Sequence, residues 1–153
     1  MNKKPENIRI CVDAIIIVEN HLLVCDVADK SFTYLPGGGI EIGETIPEAL
    51  HREIQEELQK EILIGDYVGY FDQQFELDSK HIHEICHIFR ASLVGIDSIV
   101  PLEAFAEVPS VQWIPLSKLA EANLKPDLLR TKIPELQDNK HQKIWHISQN
   151  EIV

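Results

Sequence analysis

Three consecutive glycines, Gly37, Gly38 and Gly39, lead within a few residues into a helix whose inner face carries a carboxylate. The start of that helix is written in local chemistry. Thr45 followed three residues later by Glu48 is a capping box, and Pro47 lies in the first turn, where its missing N–H costs no helical hydrogen bond. At about 100° per residue, Ile46, Leu50, Ile54 and Leu58 make one apolar stripe that packs on a core. Glu53, Glu56 and Glu57 fall at i, i+3 and i+4 and share one side, and Glu57 projects into the stripe between Leu50 and Ile54. Burying it uncompensated costs on the order of several kcal/mol, so either a cation neutralises it or its pKa rises until it is protonated. With two further carboxylates a turn away, a divalent metal held through oxygen atoms satisfies the cluster.

A Glu-rich helix by itself reads as a solvated acidic face, here supported by Arg52 and Lys60. The inward position of Glu57 and the preceding glycines argue against that reading. Glycines remove side chains where backbone and ligand approach closely, and a helix N-terminus favours anions. The spacing Gly38, five residues, Glu44, seven residues, then Arg52-Glu53-Ile54-Gln55-Glu56-Glu57 resembles the Nudix box, the signature of hydrolases acting on nucleoside diphosphates linked to another moiety. The family places a glycine two residues after the last glutamate and then an aliphatic residue; here those positions are Gln59 and Lys60. Either Gln59 takes a left-handed conformation or the helix runs on through Lys60.

The chain has 153 residues, enough for one domain with a real core. Its net charge of −11 opposes general affinity for nucleic acid or anionic membranes, while an acidic enzyme still binds polyphosphate when metal ions carry the positive charge. The polar N-terminal stretch lacks the apolar core of a secretory signal and no segment is long enough to span a membrane, so a cytoplasmic protein is expected. Cys11, Cys25 and Cys86 lie in apolar runs and read as reduced core thiols.

In chain order, residues 8–18 and 21–27 predict a hairpin turned by Glu19-Asn20, and residues 32–35 a short strand delivering the chain to Pro36 and a glycine turn. Residues 62–76 predict a long strand bent or bulged at Gly65 and Gly69, and residues 81–93 its return after a turn at 78–80. The result is a mixed sheet flanked by helices. His81, His83 and His87 share one face of the returning strand, which admits a histidine metal centre as an alternative to a polar cleft wall. Tyr70 and Phe71 suit either base stacking or the core. A loop region follows with Glu103, then Glu107, then a strand at 111–116 and a helix capped by Ser117 through about Glu121. One or two helical turns follow from Lys125. From Gln137 the chain is polar, and residues 143–148 alternate like an edge strand that either docks on the sheet or pairs with a second subunit in a homodimer.

The resemblance implies an α+β fold of the Nudix type, an α/β/α sandwich with the mixed sheet between helices, spanning residues 1–136 and leaving 137–153 as a C-terminal extension. It implies a pyrophosphohydrolase that cleaves a diphosphate linkage in a nucleoside diphosphate derivative, with Mg²⁺ or Mn²⁺ held by Glu53, Glu56, Glu57 and the Gly38 carbonyl. Gly37, Gly38, Gly39 and His83, which sits in a His83-Glu84-Ile85 tract similar to one beside the family's cleft, are then substrate-binding. Glu107, ahead of Glu103, is the further ligand or general base, and Glu44 with Arg52 is the pair that orients the loop against the helix. The alternative within the same fold is a nucleotide-sensing module without turnover.

Overall fold

The computed structural model describes residues 7–138 and 143–150. The polar N-terminal stretch 1–6 and residues 139–142 and 151–153 of the C-terminal extension lie outside the described residues.

Strand β1 (Asn7–Val18) is the axis of the molecule, because its two faces feed two cores. Cys11 and Ile15 point into one cluster, whereas Val12, Ala14 and Ile16 point into the other, the alternation expected of a strand buried on both sides. Its end turns through Glu19 and Asn20, both at positive φ, into β2 (His21–Asp26), with Val18 opposite His21. β3 (Thr33–Tyr34) pairs with β2. The glycine stretch is more ordered than a turn: β4 (Gly37–Gly39) is a short strand antiparallel to β1, with Asp13 opposite Gly37. Gly37 has φ of 145°, and a Cβ there would lie 2.2 Å from the Val12 carbonyl oxygen, so only glycine permits this pairing.

Helix α1 (Ile46–Leu58) carries the capping box, with Thr45 and Glu48 bonded reciprocally, and buries Ala49, Leu50, Ile54, Glu57 and Leu58. Full burial of each of the three large aliphatic side chains contributes roughly 1.5–3 kcal/mol. The helix ends at Gln59, which takes the left-handed conformation (φ 51°, ψ 40°) and donates its N–H to the Gln55 carbonyl at 3.0 Å. The family's glycine is thus replaced by a side chain held in a conformation that glycine adopts without steric cost.

Beyond α1, β5 (Ile62–Leu77) and β6 (Lys80–Leu93) form a long antiparallel pair turned by Asp78 and Ser79, with register shifts between Ile64, Tyr67 and Gly69. β6 runs parallel to β1. β7 (Val111–Pro115) pairs with β2, and β8 (Trp145–Asn150) runs parallel to β5 at the sheet edge, burying Trp145 and Ile147. A Cβ at Gly69 would lie 2.3 Å from the Trp145 carbonyl, so this glycine lets the edge strand approach. Among the described residues, eight strands make one mixed sheet. α1 covers one face, and α2 (Leu129–Asp138) with a 3₁₀ helix (Leu116–Glu121) covers the other, giving the three-layer α+β sandwich. The expected Ser117 cap is corrected here: the segment is a 3₁₀ helix entered from Pro115 with no side-chain cap, and the N–H of Leu116 is taken by the Asn20 carbonyl. No helix among the described residues is long and apolar enough to cross a membrane.

Candidate active site

A cleft of about 800 Å³ opens where β4, α1, β1, β5 and β6 meet. Its lining joins Gly37, Gly38 and Gly39 to Glu53, Glu56, Glu57 and Glu107. Glu57 is only 7% exposed although it is a carboxylate. It accepts a hydrogen bond from the Gly37 N–H at 3.1 Å. Burial, then the charges of Glu53 and Glu56, push its pKa up to about 8, while the Gly37 N–H works in the opposite sense. Gly38 faces Glu53 so closely that a Cβ would lie 2.5 Å from its carboxyl carbon. The glycine strand and the helix are therefore matched to each other through side-chain absence on one and carboxylates on the other.

Arg52 binds the two elements together. It donates to both Glu44 oxygens (2.5 and 3.0 Å), to the Gly39 carbonyl (2.9 Å) and to Glu53 (2.8 Å). This forked contact is what a planar guanidinium provides and an ammonium does not. The Arg52 hydrogen bond, followed by the Glu41 N–H, holds the Glu44 carboxyl below its usual range. At the far end of α1 the Phe105 N–H donates to the Glu57 carbonyl at 2.8 Å, which docks the following loop and brings Ala106, Glu107 and Val108 to the cleft wall. Glu103 does not line it.

The oxygen-only donor set of Glu53, Glu56 and Glu57 fits a hard divalent cation such as Mg²⁺ or Mn²⁺, and the enclosed Glu57 is the member that most needs one. As placed, Glu53 is turned to Arg52 and Glu57 to Gly37. Among the described residues no group of three or more His, Cys, Asp or Glu side chains is gathered for a metal ion.

His83 is placed differently from its expected substrate-binding position. It lies on the opposite face of β6 from the cleft and meets Asp72 at 2.5 Å, so its neighbour Glu84 is the residue that faces the cleft. His81 bonds to Gln74 and His87 to Tyr67, so the three histidines share a face but each is held by its own partner on β5. Tyr70 is also on that face, edge-on to His146, whereas Phe71 is 3% exposed and lines the cleft from the core.

Asp13, Glu84, Gln73 and Arg9 also line the cleft, and the sequence reading did not single them out. Burial, then the charge of Glu84, raises the Asp13 pKa well above its ordinary range; Cys86 donates to it and lowers it, and Glu57 adds to the rise. The available signal was a lone carboxylate within an apolar strand, at Asp13 in β1 and again at Glu84 in β6. Cys11, Cys25 and Cys86 are buried free thiols, with Cys11 opposite Cys86.

A family model described as NUDIX domain matches residues 7–135. The chain belongs to the Nudix family. A nucleoside triphosphatase NudI from Salmonella agona (strain SL483) is 38% identical over 63 residues, covering 38% of this chain and 45% of that protein. The chain thus spans less than half the length of this curated relative. In three dimensions it is similar to a NUDIX hydrolase from Nitrosomonas europaea (TM-score 0.71, 20% identity, 97% of this chain and 82% of that one). It is also similar to a MutT protein from Methanosarcina mazei Go1 (TM-score 0.68, 24% identity, 92% and 100%). At these identities the likeness establishes the Nudix fold.

Proposed function

We propose that this Nudix protein is a divalent-cation-dependent pyrophosphohydrolase acting on a nucleoside triphosphate or another nucleoside diphosphate derivative. The observation that carries the reading is the buried Glu57 carboxylate, set in a nucleotide-sized cleft beside Glu53, Glu56 and a glycine strand. The nucleoside triphosphatase named among its relatives points to the same substrate class. Glu53, Glu56 and Glu57, with the Gly38 carbonyl, would hold Mg²⁺ or Mn²⁺. Bound there, the cation would neutralise phosphate oxygens and lower the pKa of water.

The residues then have separate tasks. Gly37 and Gly38 let the strand sit against β1 and Glu53, Gly39 leaves open space for the phosphates, and Arg52 with Glu44 keeps that strand fixed on the helix. Glu107, which lines the cleft from the loop docked on the end of α1, would take the proton of the attacking water as its oxygen bonds to phosphorus and the anhydride P–O bond breaks. The net charge of −11 leaves small nucleotides, rather than nucleic acid, as partners. A small-nucleotide substrate fits a cytoplasmic protein, and β8, docked on β5, is not the free edge strand through which a homodimer was expected.

The test is turnover of nucleoside triphosphates, dinucleoside polyphosphates, nucleotide sugars and dinucleotide cofactors with Mg²⁺, Mn²⁺ or EDTA. Turnover of at least one class with metal, abolished by EDTA, is expected. Tight nucleotide binding with no turnover of any class would overturn the reading in favour of a sensor.

A further inference from the structure

Beyond the acidic helix the cleft continues over the sheet to a polar pair that phosphate chemistry does not use. On β5, Phe71, Gln73, Phe75 and Leu77 alternate onto the cleft face, which sets Gln73 between Phe71 and Phe75 along the strand. Gln73 Nε2 donates to Glu84 Oε1 at 3.1 Å across the β5–β6 pair. The other Glu84 oxygen accepts from the Cys11 thiol at 3.3 Å and lies 3.6 Å from Arg9 Nε. The Glu84 side chain is only 12% exposed, so its orientation is held by three neighbours. Phe32 and Tyr34 contribute further aromatic surface to the same cleft. Asp13, opposite Gly37 on β1, lines the same cleft as this pair and the acidic helix.

We infer that Gln73 and Glu84 read the base of the nucleotide and that they select guanine; the inference rests on the nucleotide-hydrolase reading above. A cleft lined by aromatic side chains and a carboxylate held by its neighbours can take a base, with selectivity that follows from the direction of its hydrogen bonds. An ionised carboxylate only accepts, and the Gln73 amide, having given one N–H to Glu84, has a second to donate. Guanine presents the complement, with O6 accepting from Gln73 and the adjacent N1–H and N2–H donating to Glu84. Uracil and thymine place a carbonyl oxygen on each side of their single N–H, so one of them meets the carboxylate. Cytosine and adenine can set their ring nitrogen against the Gln73 N–H and an amino N–H against Glu84, one hydrogen bond fewer than guanine makes. A lone pair set against a partly buried carboxylate is rejected more strongly than a missing contact.

The test compares kcat/KM for GTP, ITP, ATP, CTP and UTP, and binding of GMP and UMP by calorimetry. GTP is expected to exceed UTP by on the order of 10- to 100-fold. ITP, which lacks the 2-amino group, should fall between them, and GMP should bind more tightly than UMP. Glu84→Gln should shrink the GTP-to-UTP ratio to within about threefold. Gln73→Ala, which leaves the carboxylate in place, should lower the ratio less and serves if the Glu84 variant melts early. Equal use of GTP and UTP, or an unchanged ratio in both variants, overturns the guanine inference and leaves the hydrolase reading standing. Hydrolysis of none of the five, with neither monophosphate bound, overturns the guanine inference, and the hydrolase reading is then decided by the dinucleoside polyphosphates, nucleotide sugars and dinucleotide cofactors.

Discussion

Helix α1 and strand β6 each carry three side chains able to bind metal at a spacing that puts them on one face, yet the fold treats the two sets differently. On β6 the histidines face away from the cleft, and Gln74, Asp72 and Tyr67 on β5 give each its own partner. On α1 one of the three carboxylates is enclosed against a glycine strand with its pKa pushed up to about 8, and all three line the cleft. Equal spacing therefore has unequal chemical meaning. A titratable group retains unspent charge when burial removes water and the neighbours do not replace it, and that condition holds on the helix rather than on the strand.

The sharpest way to break the comparison is a matched pair of substitutions. Glu57→Gln keeps an acceptor for the Gly37 N–H but removes the charge, and should lower metal-dependent kcat/KM by on the order of 10³-fold, several kcal/mol of transition-state stabilisation. His83→Ala, behind the cleft, should change it by less than about threefold. The reverse ordering in a phosphate-release assay would move the site to the strand.

A second measurement sharpens the same contrast through pH. In metal-free protein Glu57 has a native pKa near 8 against an ordinary 4.5, so the folded state takes up the proton first. Its contribution to stability is full below about 4.5 and is lost as pH rises through about 8. The metal-free melting temperature should therefore fall between pH 5 and pH 8, and Glu57→Gln should remove that part of the fall. A wild-type decline retained unchanged in the variant would assign the effect to another group.

The smallest effect belongs to the element that positions the carboxylates. Thr45→Ala removes the side-chain acceptor of the capping box and should cost about 1 kcal/mol in urea unfolding. It should leave the preference between metals unchanged, since Thr45 lies outside the cleft lining.

Much of this architecture was legible because it depends on neighbours in the chain. The start of α1 follows from Thr45 and Glu48, the two tight hairpins from Glu19-Asn20 and Asp78-Ser79, and the irregularity of β5 from its glycines. Gln59 was legible as a choice between two outcomes, and the left-handed cap decided it. Adjacent side chains in a strand take opposite faces, so of the His83-Glu84 tract it is Glu84 that lines the cleft, which the sequence tract alone does not distinguish.

The sequence by itself determined the family, the acidic helix and the inward direction of Glu57, because a 3.6-residue period and a spaced motif are properties of local chain. The tertiary structure decided which residues share the cleft. β1 lies parallel to β6, 73 positions away at Cys11 and Glu84, and that pairing brings Asp13 and Arg9 to the same surface as Gln73 and Glu84. Register between distant strands is set by burial of both sheet faces at once, a condition no local stretch of sequence contains.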